Sequence, residues 1–345
     1  MMKIAIVGAG ISGVCAANLL AKQGFEVDVF EKSRGLGGRL TTKRLDWAHI
    51  DIGAQYFTAR NPRFMQQVEE WQSQHAADIW DFEPYSIQDG QLMPSKDSTK
   101  RYVGTPRMNS IVHELSRDLT IKLGTRINTI VLDDQSSTHK TWRLFDESGC
   151  EYINYDWLIV SAPAQQAHYL LEHSPTDLRS VSQQIPINAH RPCWAVALTT
   201  NGEVPKDIQG IFGDDVISWV SRQSAKPHRP ALSGDDCWML HFSDKWSSRH
   251  SKNTTKNPTQ IALDWLNNYL LPLRKKDAKP LTLDNSYEHF WLYAKLNDEH
   301  SSLKPLIDEH NKLAVIGDWC LGGRVEGAYL SALDVVAYLS KEQVD

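Results

Sequence analysis

Residues 3–40 read KIAIVGAGISGVCAANLLAKQGFEVDVFEKSRGLGGRL. Lys3 to Val7 is short and apolar, the composition of a strand buried in a parallel sheet. It runs straight into Gly8, Gly10 and Gly13. From Ile11 the apolar spacing becomes helical, through Val14, Ala17, Leu20 and Ala21, and Gly24 ends that helix. Glu26 to Phe30 predicts a second strand with Glu31 at its end. Strand, glycine turn, helix and strand make one βαβ unit of about thirty residues.

This unit suits a dinucleotide. Gly8 permits the tight turn, Gly10 lets a pyrophosphate approach the backbone, and Gly13 lets helix and sheet pack closely. The helix N-terminus, from Ile11 and Ser12, offers unpaired N–H groups and a positive dipole end. Glu31, followed by Lys32, is placed to accept hydrogen bonds from an adenosine ribose, and a carboxylate there repels a 2′-phosphate.

Gly35, Gly37, Gly38 and Arg39 follow closely. With Gly8, Gly10, Gly13, Ala17, Leu20, Gly24, Val27, Val29 and Glu31, the G-G-R run resembles the extended motif of the flavin-containing amine oxidase superfamily. Val14 departs from the usual Leu or Ile. The resemblance implies non-covalent FAD, with the extension wrapping its phosphates. Arg39, planar and permanently charged, is suited to a phosphate. The segment Asp51-Ile52-Gly53-Ala54-Gln55-Tyr56-Phe57 resembles the superfamily stretch beside the flavin ring, which implicates Gln55, Tyr56 and Phe57. In the family a strand corresponding to Arg126–Val131 contacts the adenine, here through Ile127 or Asn128.

A second strong pattern lies at Leu313 to Leu339. A buried strand ends at Gly317-Asp318, and a glycine loop leads to a long apolar helix beginning near Gly327. It resembles the C-terminal FAD motif of the same superfamily. The expected cofactor residues there are Gly317, Asp318, Arg324, Val325, Glu326, Gly327 and Ala328. Cys320 follows Asp318 too directly for covalent flavin attachment.

Between these ends, Asn61 to Ala77 predicts a helix with Asn61 as N-cap and Pro62 at its first position. Strands are expected around an Asp89-Gly90 turn and a Ser148-Gly149 turn. Trp194–Thr199, Trp238–Phe242 and Tyr287–Leu296 read as strands, and Thr259–Leu271 as an amphipathic helix. The expected architecture is α/β. A Rossmann-type, p-hydroxybenzoate-hydroxylase-like FAD domain is built from 1–60, 101–163 and 304–345, and a mixed-sheet substrate domain from 61–100 and 164–303.

The bulk numbers agree with two domains: 345 residues, 41% hydrophobic, 23% charged, net charge −5. That charge offers no field for nucleic acid or an anionic membrane. No signal-peptide pattern or spanning apolar run is read. The five cysteines show no C-x-x-C pair, and the thirteen histidines no metal-ligand spacing, so reduced thiols, a cytoplasmic home and no metal are expected.

Inner phrases narrow the resemblance. Asp51 to Arg60, Arg191 to Leu198, Ser224 to Pro230 and Gly317 to Ala332 are similar to the renalase group. That resemblance implies oxidation of 2- and 6-dihydro isomers of NAD(P)H to NAD(P)+, with O2 reduced to H2O2. A dihydropyridine already carries a hydride ready to leave, so aromatic walls matter more than a general base. Pocket candidates are Trp219, His241, Trp291, Tyr293 and Trp319, with Trp194 and Trp238. No catalytic residue is assigned. Arg222, Lys226 and Arg229 read either as a solvated charged face or as anchors for the substrate's phosphates. The rival reading on the same scaffold is an amine oxidase or desaturase, with Lys295 as its lysine; a third is a regulatory flavin-binding protein without turnover. The expected partners are a small dihydronicotinamide or amine and O2, and the expected state is a monomer or homodimer.

Overall fold

The computed structural model describes residues 1–133, 140–230, 236–251, 257–297 and 304–342. The domain bounds expected at 303 and 345 fall outside these residues.

A six-stranded sheet forms the first layer. Its order is Leu306–Asp308, Leu313–Val315, Trp157–Val160, Lys3–Val7, Glu26–Glu31 and Thr120–Leu123. All pairings are parallel except that of Leu306–Asp308 with Leu313–Val315. Val7 is in register with both Phe30 and Val160, and Val160 with Val315. The carboxyl ends therefore line up, and Gly8, Glu31, Ser161 and Ile316 leave the sheet on one edge. From Lys3–Val7 the chain moves to one neighbour first and returns to the other much later. This is the switch point at which open α/β sheets leave a crevice.

The first helix, Ile11–Lys22, and the last, Val325–Glu342, cover one face of this sheet. Val14, Ala17, Ala328 and Ala332 bury there with Ile4 and Ile6. On the other face Trp142, Leu144 and Tyr155 of a three-stranded meander pack with Phe30, Leu158 and Val160.

The second sheet has seven strands, in the order Thr282–Leu296, His190–Asn201, Asp236–Phe242, Ile217–Arg222, Gly210–Phe212, Tyr85–Gln88 and Gln91–Pro94. It is mixed: Gly210–Phe212 and Tyr85–Gln88 run parallel, the other pairings antiparallel. Period-two alternation gives each face its own core. Val196, Leu198 and Leu240 pack on Trp265 and Leu266 of helix Pro258–Leu270. Ala195, Ala197 and Met239 face the opposite way, onto Ala48, Ile50 and Ile52. Small side chains on that face let the first domain's chain lie close against it.

Several elements depart from the sequence expectation. The helix after Asn61 is shorter, Pro62–Ser73, because Gln74 and His75 turn out of it, His75 with φ of 57°. The N-cap is as expected, the Asn61 side chain accepting from the Arg63 N–H. The segment 61–100, expected with the substrate domain, divides. Phe64, Val68 and Trp71 of that helix bury in the first domain's core, whereas Tyr85–Gln88 and Gln91–Pro94 join the second sheet. Among the described residues no helix is long and apolar enough to cross a membrane.

Candidate functional site

The site is built at the crevice edge of the first sheet. Gly8 leaves Lys3–Val7 with φ of 111°, a value only glycine adopts without strain. A Cβ there would meet Ser161 O at 2.5 Å, and one at Gly13 would meet Gly8 O at 2.1 Å. Turn, helix and neighbouring strand thus touch at backbone distance. Around Gly10 nothing lies within 4 Å of a Cβ position. Gly10 is also the N-cap of the first helix, with no capping side chain and no acid in the first turn. The helix N-terminus therefore presents bare N–H groups to open space.

Glu31 stands beside it, buried. Its two oxygens accept the Ala9 and Ser33 N–H groups, each at 2.8 Å. This fixes the carboxylate at the end of its strand. Lys32 lies on the surface and donates to Gln166 Oε1. Ile127 is a core residue of the meander side. The G-G-R loop folds back over the glycine turn: Gly37 N donates to Ala9 O, and the Gly38 Cβ position lies 3.5 Å from the Gly10 Cα. Gly38–Leu40 is a 3-10 turn that carries Arg39 outward.

The C-terminal loop closes on this turn. Arg39 donates from Nη1 to Asp318 Oδ2 at 2.9 Å, and from Nη2 to Asp318 Oδ1. Burial pushes the Asp318 carboxyl up, but Arg39 beside it prevails and holds it well below the usual carboxylate range. Ser331 of the last helix shares a hydrogen bond with Ser12 and accepts the Gly317 N–H. Gly327 and Ala328 are buried at the start of that helix, with Val325 packed against the same core, and Arg324 is exposed. Glu326 is turned away from the loop, accepting the N–H groups of Arg60 and Asn61.

Segment 51–57 joins the two domains. Gly53 passes over Arg39 so closely that a Cβ would sit 1.9 Å from Arg39 O. The Ile52 carbonyl accepts Trp291 Nε1–H at 2.8 Å, and His241 Nε2 lies 3.4 Å from it. Burial pushes the His241 imidazole down to about 4, so it is neutral at ordinary pH. Phe57 is a core side chain, stacked on Tyr102 and edge-on to Trp71.

Asp51 is the centre of a buried network that the sequence did not reveal. Its Oδ1 accepts Thr42 Oγ1–H and the Met108 N–H; its Oδ2 accepts Lys226 Nζ–H at 3.0 Å and Arg229 Nη2–H. Gln55 Oε1 accepts from Ser221, Gln223 and Lys226. Burial raises the Asp51 carboxyl, yet the two cations win and hold it well below its ordinary range. Burial lowers Lys226 to about 8. Lys226 and Arg229 are thus neither a solvated face nor free phosphate anchors. Arg222 is likewise taken, by Asp236 across 2.7 Å and by the carbonyls of Val204 and Pro205.

The aromatic candidates separate into two groups. Trp219 meets Tyr56 edge-on at 5.2 Å and Phe212 at 5.0 Å, with its Nε1 unpartnered among the described residues. Trp291 and His241 reach Ile52, and Tyr293 sits edge-on to His190 at 6.3 Å. These four lie where the second sheet meets the first domain. Trp319 does not: it is fully buried in the core, bonded to Ala162 O. Trp238 is core, under the Arg222 guanidinium, and Trp194 is tied to His250 O. Lys295 is half-exposed and pairs with Asp244 at 3.7 Å. Cys320 is buried, its thiol pushed well up by burial.

A dinucleotide fits this donor set. The bare helix end above Gly10 matches a pyrophosphate, and Glu31 at its strand end matches a ribose. Arg39 and the C-terminal loop continue the same edge toward segment 51–57, where Gly53 passes against the Arg39 backbone.

Comparisons with known proteins agree with this architecture. Residues 6–71 match the family described as NAD(P)-binding Rossmann-like domain. A 4,4'-diapophytoene desaturase of Staphylococcus aureus (strain Newman) is 34% identical over 89 residues, 23% of this chain and 18% of the desaturase. The chain therefore spans under a fifth of that curated relative. Among solved structures, cyclohexylamine oxidase from Brevibacterium oxydans IH-35A is similar over 100% of both chains, with TM-score 0.73 and 12% identity. Reduced UDP-galactopyranose mutase gives TM-score 0.72 at 12% identity, covering 99% of this chain and 96% of the other. Putrescine oxidase bound to putrescine gives 0.67 at 12% identity, over 99% of each. Such likeness shows a shared fold. A mutase among oxidases makes clear that the fold leaves the reaction open.

Proposed function

We propose that this chain is a flavin-dependent oxidoreductase of the amine oxidase and desaturase superfamily, and that it oxidises 2- and 6-dihydro isomers of NAD(P)H in the manner of renalases. The names of the neighbours and of the desaturase relative support the broader part, since the oxidases are similar in fold and the desaturase is 34% identical over 89 residues. The cofactor in this reading is non-covalent FAD. Bound in the crevice, it would take two electrons from the substrate and pass them to O2, giving H2O2.

The residues around it hold and orient. The first helix N-terminus and Arg39 hold the phosphates, and Glu31 the ribose. Trp291 and His241 fix segment 51–57 through the Ile52 carbonyl. Trp219 and Tyr56 offer ring faces and edges to a planar substrate. His241, neutral and donating at most one N–H, orients without acting as a base, which a dihydropyridine does not need.

One observation carries the narrower part. The Arg101 guanidinium lies over the rings of Tyr56, Phe82 and Phe212, at 5.2, 5.2 and 5.7 Å. The aromatic cluster at the domain junction already holds this cation, paired with Asp97 at 3.1 Å, and Lys226 and Arg229 outnumber Asp51 close by. A substrate ammonium would meet positive charge there. A neutral dihydropyridine ring brings no cation to that cluster, and the phosphates attached to it are anionic. Lys295, bound to Asp244, is placed as a surface residue in this reading. A cytoplasmic setting belongs to the same proposal, consistent with five free cysteines.

Anaerobic mixing with 2- or 6-dihydro-NAD(P) is the test. The yellow flavin absorption is expected to bleach and NAD(P)+ to appear. Bleaching by a mono- or polyamine, with none by the dihydronicotinamides, would overturn the narrower reading and leave an amine oxidase.

A further inference from the structure

His190 opens the strand His190–Asn201 of the second sheet, opposite Leu296. Its side chain is 1% exposed. Both ring nitrogens lack a hydrogen-bond partner among the described residues. A buried polar group in that condition is costly, and one in a native fold has a reason. The ring points at the cofactor cradle: Nε2 lies 3.7 Å from Asp318 Oδ1. The groups facing it are Asp318 from the C-terminal loop, Arg39 behind Asp318 from the G-G-R loop, and Tyr293 from the edge strand. On its own strand, Arg191 is exposed, in register with Lys295.

The charges around Asp318 do not balance once phosphates arrive. Arg39 directs both terminal nitrogens to Asp318, and Nη1 also reaches Ala294 O at 3.3 Å. A pyrophosphate beside Arg39 adds further negative charge to one guanidinium. A guanidinium drawn toward phosphate leaves a buried carboxylate short of a counter-charge, which is costly. His190 is the other cationic side chain within reach of that carboxylate. About 1 Å of approach brings its Nε2 to charge-assisted hydrogen-bond distance.

We propose that His190 is a positioning residue of the cofactor cradle: it takes up a proton and pairs with Asp318 when Arg39 engages the dinucleotide's phosphates. The proton comes from solvent, and no bond other than N–H forms. Because His190 belongs to the second sheet, cofactor loading pulls the start of that strand onto the C-terminal loop. The inference rests on the reading of the crevice as an FAD site.

The test is calorimetric titration of the flavin-free full chain with FAD, from pH 6 to 8, in two buffers of different ionisation heat. Wild type is expected to take up a proton on binding, and its affinity to fall about tenfold across that range. His190→Gln is expected to bind about tenfold more weakly at pH 6, with little pH dependence and no proton uptake. Wild-type binding without proton uptake overturns the proposal, since Arg39 then serves both anions alone; this arm stands even if the variant folds poorly. Equal pH dependence in His190→Gln also overturns it. Failure of wild type to bind FAD at any pH overturns the flavin reading and, with it, the role of His190.

Discussion

Arg39 and Asp318 meet two nitrogens to two oxygens, although 279 positions separate them in the chain. One belongs to the loop that follows the second strand, the other to the loop that precedes the last helix. The pair is the latch that joins the two glycine-rich motifs into one edge.

Breaking that latch from the acidic side is expected to be severe. Asp318→Ala leaves Arg39 without its counter-charge and is expected to cost about 3 kcal/mol of stability, as for other buried pairs that lose one member. Arg39→Met with Asp318→Ala removes both charges and should cost less than the sum of those two single changes. Urea unfolding of the four proteins in a double-mutant cycle measures the difference.

Gly10 and Gly327 separate folding from binding. A Cβ at Gly10 meets nothing within 4 Å, and its φ of −75° suits any residue. Gly10→Ala should therefore keep wild-type stability while weakening FAD binding by about tenfold or more, through the lost approach of phosphate to backbone. A Cβ at Gly327 would lie 1.8 Å from Leu321 O. Gly327→Ala should lower the melting temperature as well. Thermal unfolding and fluorescence titration with FAD, run side by side, check the contrast.

Lys226 makes stability depend on alkaline pH. Its folded pKa is about 8, against about 10.4 for a free lysine. Between those values the unfolded chain holds more protons than the folded one, so stability rises with pH across that window. The gain from this group is of order 3 kcal/mol. Unfolding measured at pH 7, 8.5 and 10 should show the rise in wild type, and Lys226→Met should flatten it.

Asp51 works in the opposite range. Its carboxyl is held low in the fold, so its contribution is present above the unfolded value of about 3.9 and fades as pH falls through the depressed folded one. At neutral pH, Asp51→Asn should cost about 3–5 kcal/mol, because it strands Lys226 and Arg229 in the interior. Guanidinium unfolding at pH 7 gives the cost, and an acid titration of wild type locates the loss.

Much of the cradle was legible because its rules are local. Glycine spacing, helix period and an acid at a strand end are imposed by neighbours a few positions away, so Gly8 to Glu31 and Gly317 to Gly327 could be read directly. The second sheet's strands were legible by alternation, as at Trp194–Thr199. What escaped was long-range. Lys226 and Arg229 reach Asp51 across 175 and 178 positions, and no local pattern distinguishes a lysine buried against aspartate from one in solvent. An aspartate inside the apolar run Ile50-Asp51-Ile52 was the one available hint. Trp319 misled for the converse reason. An indole flanked by a glycine loop suggests an open wall, yet its N–H is satisfied by Ala162 and its ring fills the core. Arg101 lies just before the short strand Tyr102–Gly104 and carries no mark of the rings that surround it.

The order of the first sheet sets a timetable for synthesis. Lys3–Val7 and Glu26–Glu31 emerge early, yet their sheet lacks Leu313–Val315, and the first helix lacks Val325–Glu342 across from it, until residues 313–342 have been made. The nascent chain must carry the half-formed crevice, with the apolar faces of Val14 and Ala17 uncovered, through the making of the entire second sheet. Contacts of such long range are slow to form and leave surface exposed meanwhile. The crevice edge is therefore complete only once Leu313–Val315 and the helix that follows it have been made.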